Sequence, residues 1–274
     1  MAPGVTIAVV ELRSALRNRW LQYYTAAFAL LAGLLAFGGL AAAGYGGAAG
    51  FGPTAAGLIS LDLVIVPLMA LTVGALAYCR DRERGTLSYL GALPLSVDSI
   101  FRAKALGLAV GLSMAVALGF SLALVVMALM GVGGNAGDLA ALVGLTWLLA
   151  LAMGGIGLAI SVNARRVPAA LGLAIVSWLL FVLLGDLGIM ATAMATHVGM
   201  QVLLWLTILN PIEAYKIAAI AALSGSVDVL GPGGRLATDI FGGALLPVMV
   251  GALCAWLAAS GGAAWWMARH GDVA

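Results

Sequence analysis

A row of thioether and imidazole side chains is the clearest set of potential metal ligands in the sequence. The row consists of Met190, Met194, His197 and Met200. Spacings of four, three and three residues would align these side chains along one face of a helix. Thioether and imidazole groups suit Cu(I), which makes a copper site one interpretation. Methionine also serves as packing material because its flexible side chain fills irregular gaps, so the spacing alone leaves both interpretations open.

Groups for acid–base or covalent catalysis are scarce in the rest of the chain. The sequence has no GxSxG or HExxH motif, and its two histidines, His197 and His270, offer no base and nucleophile pair. The two cysteines, Cys79 and Cys254, are far apart and form no CxxC pair. The chain also lacks the GxxxxGK[ST] loop that cradles nucleotide phosphates. We therefore expect neither an enzyme nor a cofactor bound by this chain.

Composition places these residues in an integral membrane protein. Hydrophobic residues make up 64% and charged residues 9% of the 274 positions, with a mean hydropathy of +1.13. Soluble domains carry about 25% charged residues, and a net charge of +2 from so few charges gives no support for nucleic-acid binding. Runs of about 20 apolar residues predict six transmembrane helices in a single all-α domain over residues 1–274. The predicted spans are 21–44, 56–79, 105–131, 139–162, 168–185 and 240–267.

The distribution of Lys and Arg predicts that both termini are cytoplasmic, because positive residues are retained on that side of a membrane. Eleven of the thirteen then lie inside, and only Lys216 and Arg235 lie outside. Within residues 1–20, apolar side chains share one helical face while Arg13 and Arg17 lie on another. This pattern predicts an N-terminal interfacial helix, and the alternative is an extension of the first span into the cytoplasm.

A charged segment, residues 80–104, separates the second and third spans and holds five of the thirteen basic residues. Its central residues are Arg82, Glu83, Arg84, Gly85, Thr86, Leu87 and Leu90. Charges at one end and leucines at the other favour a short surface helix that docks in a groove of a soluble partner. The alternative is a solvated loop that only obeys the positive-inside rule. A second turn, with Arg165 and Arg166 just before Pro168, allows the same two interpretations.

Residues 186–239 are expected outside, as short helices that dip into the outer leaflet. A seventh span is disfavoured because Asn210-Pro211 and the turn from Glu213 to Lys216 interrupt the apolar run. Two carboxylates lie near the outer ends of predicted spans. We expect Asp62 to face water at its helix end, whereas Asp186 fits either water or a functional pair beside the outer segment.

The order of residues in the charged segment resembles that of the ABC-2 type permeases. The shared pattern is E-x-G-T-L, a later proline and K-x-x-G. In this chain it is carried by Glu83, Gly85, Thr86, Leu87, Pro94, Lys104 and Gly107. An N-terminal E-L-x-x-x-x-R-x-R segment beginning at Glu11, six spans and the outer Asn-Pro pair extend the resemblance over nearly the whole chain.

Part of the outer segment resembles a narrower group of permeases, which support copper-site maturation in nitrous oxide reductase. The residues concerned are Leu209-Asn210-Pro211, then Tyr215, and the Asp186-Leu187 step after the fifth span. This copper-linked resemblance adds weight to the metal interpretation of the methionine and histidine row.

The resemblance implies a type V exporter fold in the inner membrane of a bacterium, with two copies of this chain. Each would work with a cytoplasmic ATPase that binds ATP and Mg²⁺ and pushes on coupling residues of the two cytoplasmic turns. Those residues are Arg82, Glu83, Arg84, Gly85, Thr86, Leu87, Leu90, Arg165 and Arg166. It also implies a periplasmic protein that contacts the outer segment. The implied contacts are Asp186, Asn210, Pro211, Glu213 and Tyr215.

Two other functions fit the sequence less well. An ABC-2 exporter of another small molecule or a lipid would share the same motifs. A secondary transporter or channel is less favoured because such proteins place ionisable residues or broken helices near the midplane, and these spans are almost free of charge.

Overall fold

The computed structural model describes residues 19–42, 51–87, 96–129, 136–194, 208–224 and 241–270, and every regular element within them is helical. The α-helices are α1 (Arg19–Ala42), α2 (Phe51–Glu83), α3 (Val97–Leu129), α4 (Ala136–Asn163), α5 (Val167–Met194), α6 (Pro211–Ser224) and α7 (Leu245–His270). A 3₁₀ turn, Gly242–Ala244, leads directly into α7. Among the described residues, six helices are long and apolar enough to cross a membrane, namely all except α6. The prediction of six spans is therefore confirmed. The predicted interfacial helix lies almost wholly outside the described residues.

Three of the helices extend well past their predicted spans, and one of them, α5, continues beyond the predicted end at residue 185 to Met194. Helices α2 and α3 have 33 residues each, or about 50 Å at 1.5 Å per residue. The last turn of α2 carries Arg80 and Arg82, which favour a helix C-terminus. Helix α3 begins after Ser96, whose hydroxyl accepts a hydrogen bond from the Ser99 amide at 3.2 Å. Both ends of the charged segment are therefore continuations of membrane helices.

Helices α2 and α4 form the centre of the bundle, and glycines set how closely they cross. A Cβ atom on Gly74 would lie 2.6 Å from the carbonyl oxygen of Gly154, and one on Gly157 would lie 2.4 Å from that of Leu71. One turn further along, the Ser161 hydroxyl accepts hydrogen bonds from the amides of Tyr78 and Cys79 at 2.8 and 2.9 Å. Small residues thus let two backbones pack directly in the core.

Helix α5 lies at the periphery. Only 11% of its span is buried within the chain, compared with 56% for α2. Its exposed side is apolar and includes Leu173, Ile175, Val176, Leu179, Leu180, Leu183 and Leu184.

Residues 186–194 of the predicted outer segment continue α5, and helix α6 is its other described helix. The 14 residues of α6 span about 21 Å, too short for a hydrocarbon core of about 30 Å. Asn210 caps this helix, since its Oδ1 accepts from the Ile212 amide at 3.0 Å, and Pro211 occupies the first position. The Asn210 Nδ2 donates to the Phe181 carbonyl of α5 at 2.7 Å. The Asn-Pro pair therefore starts a short helix that is tied to the bundle.

Candidate functional site

The charged end of the bundle is where α2, α4 and α7 end and where α3 and α5 begin. Eight of the Lys and Arg side chains lie at these helix ends. They are Arg80, Arg82, Arg84, Arg102, Lys104, Arg165, Arg166 and Arg269. Helix ends leave carbonyl or amide groups without partners inside the helix, so they attract charged side chains.

Arg82 of α2 caps the end of α4. Its Nη1 donates to the carbonyl oxygens of Val162 at 3.1 Å and Ala164 at 2.7 Å. Carbonyls in the last turn of a helix have no amide partner within it, and a guanidinium satisfies them well.

Glu83, the next residue, caps the start of α5. Its Oε1 accepts a hydrogen bond from the Val167 amide at 2.6 Å. This amide belongs to the first residue of the helix, where a carboxylate also interacts favourably with the helix dipole. Arg82 and Glu83 therefore hold opposite sides of one short connection, residues 164–166, which we call the capped turn.

Two ion pairs brace α3 against its neighbours at this end. Lys104 is only 3% exposed; it pairs with Asp81 of α2 and donates to the Ala77 carbonyl at 3.3 Å. Asp98 pairs with Arg269 of α7 and accepts from the indole nitrogen of Trp265 at 3.0 Å.

The motif residues differ in how they are placed. Arg84, Gly85, Thr86, Arg165 and Arg166 are exposed. Gly85 has a φ of +70°, a conformation that side chains with a Cβ rarely adopt, so the glycine of the motif makes the turn after α2. Leu87 is buried at 2% exposure, and residues 86 and 87 are helical again. The rest of the predicted surface helix, including Leu90, lies outside the described residues.

The basic turn surface consists of the exposed side chains of Arg84, Thr86, Arg165 and Arg166. Arg82 and Glu83 join, beside this surface, the two turns that the sequence predicts to be cytoplasmic. Their role in contact with an ATPase stays a prediction.

A second polar site, the buried polar cluster, consists of Asp62 of α2, Thr146 of α4 and Tyr215 of α6. Both hydroxyls donate to Asp62 Oδ2 at 2.6 Å, and they lie 3.0 Å from each other. All three residues are 0% exposed. The expectation that Asp62 faces water is wrong, because α2 begins eleven residues earlier, at Phe51, and α6 covers the carboxyl group.

In the described part of the chain, the Asp62 carboxyl group accepts hydrogen bonds from hydroxyl groups alone. Asp62 Oδ1 has no hydrogen-bond partner among the described residues. The nearby Lys216 ammonium pairs with Glu213 at 3.3 Å. Burial raises the pKa of the Tyr215 phenol well above its usual range, and the Asp62 carboxylate acts in the same direction. The phenol therefore keeps its proton and donates it in the bond to Asp62.

The outer contact residues suggested by the resemblance are placed unevenly. Asn210, Pro211 and Tyr215 are buried against the chain's own helices. Glu213 is half-buried, and Asp186 lies in α5. Contact of this group with a periplasmic protein stays a prediction.

The possible copper ligands are only partly within the described residues. Met190 and Met194 belong to the last turns of α5, and His197 and Met200 lie outside. The copper interpretation of this row also stays a prediction.

Three contacts between helices were not predicted from the sequence. They are the caps formed by Arg82 and Glu83, the ion pair of Asp98 with Arg269, and the hydrogen bond from Thr146 to Asp62. These partners are separated by 80 residues or more. A polar residue within an apolar span, as at Thr146, is the signal that could have pointed to the cluster.

Comparison with known proteins agrees with the all-helical membrane fold. Residues 5–267 match the family described as ABC-2 family transporter protein. The chain is 35% identical over 261 residues to the probable ABC transporter permease protein NosY of Pseudomonas aeruginosa, covering 92% of this chain and 90% of that protein. It is 33% identical over 231 residues to the protein of the same name from Stutzerimonas stutzeri, covering 82% of this chain and 84% of the relative. The chain therefore belongs to the ABC-2 transporter family.

Proposed function

We propose that a separate cytoplasmic ATPase drives this ABC-2 permease through the charged end of its helix bundle. The capped turn is the observation that supports the proposal. Arg82 and Glu83 bind both sides of the connection between α4 and α5, and one residue separates them from the Gly85-Thr86-Leu87 motif. A partner that displaces this region would move α2, α4 and α5 together.

The ATPase would bind ATP and Mg²⁺, since this chain carries no phosphate-binding loop. We place the charged end and both termini in the cytoplasm of a bacterium, with the helices in its inner membrane, because basic residues are retained on the cytoplasmic side. A second copy of the chain would complete the transmembrane unit.

The finer proposal concerns copper. The two relatives named above are both called NosY. We propose that this chain works with a NosF-like ATPase and a NosD-like periplasmic protein in assembling the copper sites of nitrous oxide reductase. Glu213 and the neighbouring outer residues would contact the periplasmic protein, and the methionine and histidine row would contact Cu(I).

The coupling proposal is tested by purifying the permease with its ATPase in lipid nanodiscs. Glu83→Ala should leave assembly intact and lower the stimulation of ATP hydrolysis by the permease, because α5 loses its cap on α2. Asp138→Ala is the matched control, since it removes a carboxylate from the first turn of α4, at the opposite end of that helix from the capped turn. Equal ATP hydrolysis by the wild type and Glu83→Ala would contradict coupling through the capped turn.

The copper proposal has its own test. Replacement of Met190, Met194 and Met200 by leucine keeps nearly the same side-chain volume but removes the thioethers. If the row binds Cu(I), nitrous oxide reductase purified from cells that carry the substituted permease should contain less copper, as measured by metal analysis of the enzyme. Full copper loading would assign the methionines to packing.

A further inference from the structure

The charged end uses its acidic side chains for contacts within the chain. Asp81 pairs with Lys104, Glu83 accepts from the Val167 amide, and Asp98 pairs with Arg269. These are all of the carboxylates at this end in the part of the chain that the structure describes. What the charged end offers to another molecule is therefore positive.

Three arginines provide that positive charge at one place. Arg84 follows α2, and Arg165 and Arg166 lie in the capped turn, which Arg82 and Glu83 hold against the end of α2. All three are exposed, and none forms an ion pair within the described ranges. Guanidinium groups present a planar set of donors that matches carboxylates in pairs of hydrogen bonds.

We propose that the basic turn surface docks against an acidic groove on the ATPase, where carboxylates pair with Arg84, Arg165 and Arg166. This inference rests on the proposed coupling to an ATPase and adds the chemistry of the partner's surface. Complementary charge would steer the two proteins together and fix how the turns sit in the groove.

Anionic lipid headgroups are the other class of partner for exposed arginines near a membrane. The length of α2 favours the protein partner. Its 33 residues extend for about 50 Å, whereas a bilayer with its headgroups is about 40–45 Å thick. The end of α2 can therefore carry the basic turn surface past the headgroups and into water.

The test measures binding of the ATPase to the full-length permease in nanodiscs, at low and high salt. Two variants reverse the charge, namely Arg84→Glu and the double variant Arg165→Glu with Arg166→Glu. Arg102→Glu is the matched control. Arg102 is exposed at the same end, but in the described part of the chain its side chain donates a hydrogen bond only to the Asp98 carbonyl of its own helix, at 3.2 Å. Nanodiscs of purely zwitterionic lipid and nanodiscs with anionic lipid are compared.

We expect the double variant to bind at least about tenfold more weakly, with a reduced dependence on salt, in both lipid compositions. The control should bind as the wild type does. Lysine at positions 165 and 166 should retain most of the binding, because the charge is kept.

Three outcomes overturn the inference in distinguishable ways. If both charge-reversal variants bind the ATPase as the wild type does, the proposed acidic groove is rejected, and the coupling proposal is unaffected. An effect that occurs only with anionic lipid assigns the arginines to headgroups. Failure of the wild-type permease to bind the ATPase in any condition rejects the proposed function itself.

Discussion

The charged end and the buried polar cluster use polar side chains in opposite ways. At the charged end, Arg82 and Glu83 satisfy helix termini that are already close to water. In the cluster, Asp62 is buried among helices, and within the described ranges its carboxyl group accepts hydrogen bonds only from the hydroxyls of Thr146 and Tyr215. The charged end leaves several arginine side chains exposed. The buried polar cluster leaves none of its three residues exposed.

The difference has an energetic consequence. A helix cap at a solvated surface contributes about 1 kcal/mol, because water can replace it. A buried carboxyl group that loses a donor has no such replacement and carries the full desolvation cost. The cluster is therefore the more demanding interaction, and it fixes where α6 lies on α2 and α4.

The largest effect is expected from Tyr215→Phe. The change leaves Asp62 Oδ2 with Thr146 alone, and Oδ1 has no described partner to compensate. The free energy of unfolding should fall by about 3 kcal/mol, because a buried carboxyl oxygen loses a hydrogen-bond donor that water cannot replace. Unfolding titration in mixed detergent micelles measures it. Tyr23→Phe, at a tyrosine that is 67% exposed, is the control; equal losses in the two variants would show that the cluster is not special.

A second change removes both polar partners together. Combining Tyr215→Phe with Asp62→Leu leaves only Thr146, whose hydroxyl can still donate to the Leu142 carbonyl at 2.9 Å. Stability should recover by about 2 kcal/mol relative to Tyr215→Phe alone, because no carboxyl group remains buried. The same unfolding titration compares the two variants. A double variant less stable than the single one would mean that the carboxylate itself is needed, through contacts other than the Tyr215 bond.

The sequence predicted the helices of both regions but not the side-chain contacts between them. Apolar run lengths located the six spans. The side chain of Asp62 was misplaced because its environment depends on Tyr215, which is 153 residues away on a helix too short to register as a span. Periodicity reports on one helix at a time, whereas a buried polar contact depends on how three helices meet.

A smaller effect is expected from Glu83→Ala at the charged end. Loss of the cap on the Val167 amide should destabilise the first turn of α5 by about 1 kcal/mol. Hydrogen exchange should become faster in that turn, while α6 stays protected. Glu83→Gln, which keeps an acceptor oxygen, should recover part of the protection. Faster exchange throughout the bundle would instead mean that Glu83 stabilises the whole fold, as we expect of the buried polar cluster.

The smallest effect is expected where the charged end is most solvated. The Arg269 side chain is 45% exposed and pairs with Asp98, whereas the side chain of Lys104 is 2% exposed in its pair with Asp81. Salt screens an exposed pair more strongly than a sheltered one. Arg269→Gln should therefore lower stability slightly in dilute buffer and not at all in about 1 M salt, where the Debye length is about 3 Å. Lys104→Met should keep its effect in both conditions, since burial protects that pair from ions. Unfolding titrations at both salt concentrations measure the two effects. If both variants respond equally to salt, exposure does not distinguish the two ion pairs of the charged end. The difference between exposed and buried polar contacts would then hold only between the charged end and the buried polar cluster.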